Sequence, residues 1–171
     1  ERILREGAQS IIDEAKQCLR DLRYNSSDCI DKKNYWKGVI IVFEAWIRFC
    51  NRYADLAEKM AAEEKNETRR AELLEMARIC RKVPQYPAES FHEALQSFWF
   101  TFLMALPSPT TSAGRFDQYM YPYYKKDIDS GKITDDEVLE LLEIMRCKVM
   151  KINRVSGKAN RMKNAGQAKW Y

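Results

Sequence analysis

Apolar residues recur along most of this chain at three- and four-residue spacing, the period of a helix rather than of a strand. In residues 1–22, ERILREGAQSIIDEAKQCLRDL, the positions Ile3, Leu4, Ile11, Ile12, Ala15, Leu19 and Leu22 predict one amphipathic helix. The turn formers of RYNSSD end it. A long second helix is expected from about Lys32 to Glu64. Its first half carries Trp36, Val39, Ile40, Val42, Phe43, Ala45, Trp46 and Phe49, apolar on so many sides that burial all round is expected. Asn66 is placed to cap a third helix with a stripe of Leu73, Leu74, Ala77 and Cys80, and the prolines of VPQYP end it. SFHE, 90–93, reads as a capping box opening a very apolar helix to Leu106. PSPTTSAG is a loop, and TDDE, 134–137, is a second capping box before VLELLEIMRCKVMKI. No stretch alternates with period two for long, so the fold class expected of this chain alone is all-α.

Composition narrows the function. The 171 residues are 46% apolar and 32% charged, which suits a globular chain with a real core. The longest apolar run, FWFTFLMAL at 98–106, is about half the ~18 residues needed to span a bilayer. With no secretory leader pattern, the expected location is the cytoplasm. Five dispersed cysteines, Cys18, Cys29, Cys50, Cys80 and Cys147, fit reduced thiols with packing roles better than a disulfide framework. His92 is the one histidine, and HEALQ puts Gln96 where a zinc-binding H-E-x-x-H needs its second His, so no metal site is expected. Glu1 at the start and AKWY at the end predict an excerpt of a longer polypeptide. From Arg146 to Lys169 the chain carries basic residues and no carboxylate. That stripe could bind anions, or pair with acidic groups elsewhere; aromatic positions for stacking nucleic-acid bases are missing between the charges.

Three ordered stretches then carry a family resemblance. RAELLEMARICRKVPQYPAESFHEALQSFWF (70–100), AGRFDQYMYPYYKKDIDSGKITDDEVLELL (113–142) and NAGQAKWY (164–171) together resemble the pyruvate formate-lyase-like domain of glycyl radical enzymes. The resemblance implies that residues 1–171 are part of such a domain, a helical outer part of a ten-stranded α/β barrel. RVSG, 154–157, has the look of a radical-glycine motif. In the family, however, that motif continues Gly-Tyr near the C-terminus of a much longer chain, whereas Lys158 follows Gly157 here. Gly157 therefore reads as a loop or helix-end glycine. The thiyl-forming cysteine motif is missing too, so no catalytic residue is expected within this span, which would be inactive alone.

The resemblance also implies partners and chemistry. The parent would carry a glycyl radical installed by an activating enzyme that uses S-adenosylmethionine and an iron–sulfur cluster, with no other cofactor. It would act on a small molecule in an anaerobic cytoplasm as a homodimer, with or without small subunits, touching neither nucleic acid nor membrane. Where diol-processing members resemble Ser-His-Ser, this chain reads Ala159-Asn160-Arg161, which makes Asn160 and Arg161 the candidate substrate-pocket residues. A guanidinium suits a carboxylate-bearing substrate. The expectation is thus a lyase or transferase like the aryl- or alkylsuccinate synthases, which add a hydrocarbon to fumarate. The alternatives are an arylacetate decarboxylase, another lyase or dehydratase of the family, or, from a different class, a non-enzymatic basic helical binding module. Arg115, Asp117, Gln118 and Tyr119 in GRFDQYMYPYY are a structural motif: a cation, an anion and an amide close enough to lock a turn, with Arg115 facing a substrate carboxylate as the functional alternative. The neighbouring tyrosines are expected to pack around Pro122.

Overall fold

The computed structural model describes residues 1–23, 27–105 and 112–151. They form six helices: α1 (Arg2–Arg20), α2 (Cys29–Glu63), α3 (Glu67–Lys82), α4 (Phe91–Ala105), α5 (Phe116–Asp129) and α6 (Asp135–Met150). No strand occurs among the described residues. The chain divides into two units, Glu1–Ala105 and Leu106–Tyr171.

In the first unit α2 packs along both α1 and α3. All four helices feed one core. Ala8 comes from α1, Trp46, Cys50 and Ala54 from α2, Cys80 from α3 and Phe100 from α4. The buried stripe of α2 continues through Ala57 and Ala61, whose short side chains let a neighbouring helix come close. The link from α2 to α3 is fixed by side chains. The Glu64 carboxylate accepts from the Lys65 and Asn66 N–H groups, and Asn66 accepts from the Arg69 N–H at 3.0 Å as the cap of α3.

The first helix departs from the sequence expectation. It is broken at Gly7, where φ is 77° and ψ 164°, a region essentially reserved for glycine. The break frees backbone groups for the strap that follows α3, which contains a cis Val83–Pro84 bond. Ala8 and Gln9 donate N–H bonds to the carbonyls of Pro84 and Gln85, and Ala88 donates back to the Leu4 carbonyl, at 2.8 to 3.0 Å. Ser10 Oγ caps the break by donating to the Gly7 carbonyl. A periodicity argument sees only side chains, so this backbone exchange was invisible to it.

Two burial expectations need correction. The first half of α2 is not buried all round: Ile41 is 65% exposed and Val42 51%. Of its many apolar positions up to Phe49, only Trp46 is buried. The remaining helices of the unit cover one stripe of α2 and leave another bare. On α3, Leu74 is exposed while Ile79 is buried beside Leu73, Ala77 and Cys80.

In the second unit, α5 contains Pro122 and ends in a Schellman turn. Lys132 N–H bonds the Asp127 carbonyl and Gly131 N–H the Ile128 carbonyl, with Gly131 left-handed at φ 67°. Thr134 and Glu137 form the expected reciprocal capping box at the start of α6. Tyr124 Oη donates to Asp135 at 2.8 Å, joining the two helices.

Candidate functional site

The GRFDQY motif straddles the start of α5. Gly114, at φ 61°, turns the chain, and the Arg115 carbonyl accepts the first helical bond from Gln118 N–H. Arg115 Nε lies 3.6 Å from an Asp117 oxygen, and the Gln118 amide donates to the other oxygen at 2.9 Å. The Gln118 hydrogen bond, with Arg115 behind it, holds the Asp117 carboxyl below its ordinary range. Tyr119 reaches back to donate to the Ala113 carbonyl at 2.7 Å, and burial pushes its hydroxyl up to about 12. The motif's backbone is thus held by Tyr119. The Arg115 side chain remains 77% exposed. Of the tyrosines around Pro122, Tyr121 is exposed and stands 6.0 Å from the Tyr124 ring.

A tighter electrostatic cluster lies where α3 meets α4, and sequence reasoning missed most of it. Glu93 is only 3% exposed. Its carboxylate accepts from Lys82 Nζ at 2.9 Å, Arg78 Nη1 at 3.0 Å and the Glu89 N–H at 2.8 Å. Its own N–H donates to Ser90 Oγ, the half of the capping box that does follow from SFHE. Burial pushes the Glu93 carboxyl up, but Lys82, the Glu89 N–H and Arg78 together outweigh it and hold it below the ordinary range. Arg78 also grips Glu75 with two nitrogens, and Lys82 reaches Glu89. The signal available in the sequence was Arg78 and Lys82 four apart on one face of α3. Only the Pro84–Pro87 corner brings Glu93 to them.

The cysteines divide by environment. Cys50 and Cys80 are buried in the core, and burial, reinforced by Cys80, pushes the Cys50 thiol up to about 12. Such a thiol is an inert packing group. Cys147 is exposed, against the expectation that all five pack, because it lies on the outer side of α6. Asn160, Arg161, Gly157 and the Ala-Gly stretch at 164–171 lie outside the described residues.

The comparisons with known proteins act on this frame of helices. The whole chain, residues 1–171, matches the family described as pyruvate formate lyase-like. It belongs to that family of glycyl radical enzymes. Over 150 residues it is 41% identical to isethionate sulfite-lyase from Oleidesulfovibrio alaskensis, covering 85% of this chain and 18% of the relative. A solved structure concerned with 1,2-propanediol dehydration in Roseburia inulinivorans superposes with a TM-score of 0.92 at 36% identity, over 97% of this chain and 20% of that one. The glycerol-bound B12-independent glycerol dehydratase from Clostridium butyricum gives 0.86 at 40% identity, over 94% and 20%. The chain therefore spans about a fifth of the length of these relatives, and its helices correspond to the helical part of glycyl radical enzyme structures. These relatives favour the lyase and dehydratase alternative over the expected succinate-synthase branch. The succinate-synthase expectation rested on Ala159-Asn160-Arg161 alone, and three residues weigh less than similarity spread over 85% of the chain. No described helix is long and apolar enough to cross a membrane.

Proposed function

We propose that the full-length protein is a glycyl radical lyase or dehydratase that removes a substituent from a small hydroxylated substrate, an anionic one such as isethionate before a neutral diol. The observation that supports it is the 41% identity to an isethionate sulfite-lyase over 85% of the chain. The Asn160-Arg161 pair adds the charge argument. A guanidinium recognises an anion, and a sulfonate, tetrahedral with three oxygens, can still present two of them to its paired N–H groups as a planar carboxylate does. A neutral-diol dehydratase is the second reading, favoured by the two superposed structures. In either reading residues 1–171 form part of a pyruvate formate-lyase-like domain whose reactive cysteine and radical glycine lie on other sequence. A glycyl radical, installed by an S-adenosylmethionine and iron–sulfur activating partner, supplies the hydrogen abstraction, and the helices here help to keep water and oxygen from it. The setting is an anaerobic cytoplasm, and the parent is a homodimer.

The test is anaerobic activation of the full-length enzyme with its activating partner, followed by a panel of isethionate, glycerol, 1,2-propanediol, phenylacetate, and fumarate with toluene. Sulfite release from isethionate is the expected result, with Arg161→Gln raising KM more than it lowers kcat. Turnover of the diols alone selects the second reading. Turnover of fumarate with toluene, and of nothing else, overturns both.

A further inference from the structure

A groove of about 220 Å³ lies in the first unit where α1, α2 and the strap after α3 meet. From α1 come Gln9, Ile12 and Lys16, spaced three and four residues apart on one side of the helix. From α2 come Glu44, Ile47 and Arg48 at similar spacing, and the strap adds Gln85. Ile12 is buried and Ile47 partly buried, so the lining combines apolar surface with polar and charged tips.

The charges of this lining do not cancel. Lys16 Nζ stands 3.5 Å from a Glu44 oxygen, a loose pair between exposed side chains. Arg48 has no ion-pair or hydrogen-bond partner among the described residues. Two cations against one carboxylate leave one positive charge unanswered. The amides are already held in place. Gln85 Nε2 donates to Gln9 Oε1 at 3.2 Å, and Gln9 Nε2 donates to Asp13 at 3.0 Å. That nitrogen carries a second N–H, which Gln9 can offer to an occupant.

We propose that this groove binds a small organic anion, a carboxylate or sulfonate of a few carbons. Its charged end lies on the Arg48 guanidinium with Lys16 beside it, and its hydrocarbon end on Ile12 and Ile47. Arg48 stays charged at any working pH and offers paired N–H groups that suit either head. The volume sets the size of the occupant. It falls below the roughly 300–1,000 Å³ of sites for drug-sized ligands, which selects a molecule of few heavy atoms. Inorganic phosphate or sulfate would answer Arg48 but leave both isoleucines uncovered. Because the occupant touches α1, α2 and the strap together, it fastens the joint at Gly7. The proposal does not depend on which substrate the parent turns over, so this site and the activity panel fail separately.

The experiment titrates propionate and methanesulfonate, at constant ionic strength, into the full-length protein before activation. Calorimetry reads affinity and amide exchange reads place. A Kd of about a millimolar is expected, with neutral propanol at least about tenfold weaker. At about ten times Kd, exchange of the Ala8 and Gln9 amides should slow about tenfold. Arg48→Gln should weaken binding at least about tenfold and Arg48→Lys less. Glu44→Gln releases Lys16 and should tighten binding about threefold, whereas Lys59→Gln, on α2 outside the groove, should change nothing. Absence of binding at tens of millimolar overturns the proposal, as does unchanged exchange at Ala8 and Gln9. Loss of binding in Arg161→Gln with Arg48→Gln unaffected also overturns it. So does equal weakening by Lys59→Gln, which marks a general attraction to surface charge.

Discussion

Replacing Gly7 by Ala tests the strap that joins α1 to the corner after α3. A Cβ at this position would stand 2.4 Å from the Gln85 carbonyl oxygen and 2.8 Å from the backbone of Tyr86. These are backbone atoms, so no side-chain rotation relieves the contact. The residue must also hold φ 77°, ψ 164°, which costs a non-glycine residue about 1–3 kcal/mol. If the strap retreats, the bonds from Ala8, Gln9 and Ala88 are lost, at about 0.5–1.5 kcal/mol each. The local loss is then about 3–7 kcal/mol. Amide hydrogen exchange on the full-length protein reads it directly, since each 1.4 kcal/mol off the opening free energy speeds exchange about tenfold. Peptides containing Ala8, Gln9 and Ala88 should exchange at least about a hundredfold faster in Gly7→Ala. Gly131→Ala is the control. Its φ of 67° carries the backbone strain, but nothing lies within 4 Å of the added Cβ, so a local loss of only about 1–2 kcal/mol is expected. Unchanged protection around Ala8 in Gly7→Ala would refute the reasoning, and equal losses in the two variants would refute the steric part of it.

The Glu93 cluster predicts an acid-sensitive corner. Its folded pKa is depressed, so its stabilisation is complete above the ordinary glutamate value of about 4.3 and is lost as pH falls through the lower folded value. The melting-temperature gap between wild type and Glu93→Gln should therefore be largest near neutrality and shrink below about pH 4; a gap independent of pH would contradict this. Thr134→Ala removes one arm of the α6 capping box and should destabilise that helix by about 1 kcal/mol, seen as faster exchange in its first turn, while Thr134→Ser should be nearly silent. Phe100→Ala empties a fully buried site touched by Phe49 and Tyr53, and a loss of about 3–5 kcal/mol in denaturant unfolding is expected, with Phe100→Leu costing much less.

Much of the helical framework was legible because its signals are local. Asn66 before the third helix, Thr134 with Glu137 three residues on, and the prolines after Val83 act within one turn, and those helix ends fall close to their punctuation; α5, Phe116–Asp129, was not expected, because Pro122 and the turn-like GRFDQY masked it. Family membership was legible for a similar reason, since it lay in short ordered motifs spread over most of the chain. The GRFDQY cluster was half legible. The proximity of Arg115, Asp117 and Gln118 follows from their spacing, but the anchoring of Tyr119 on the Ala113 carbonyl depends on how the chain turns at Gly114.

By itself the sequence determined where the capped and proline-stopped helices begin and end and which family they serve, because capping, proline stops and motif order are properties of neighbouring residues. Tertiary structure alone decided that α1 breaks at Gly7 to meet a strap some eighty residues away, that Glu93 is buried between Arg78 and Lys82, and that only one apolar stripe of α2 finds cover here. Periodicity counts apolar side chains without saying which neighbour faces them. Burial depends on what packs against each side, and that depends on the path of the chain in space.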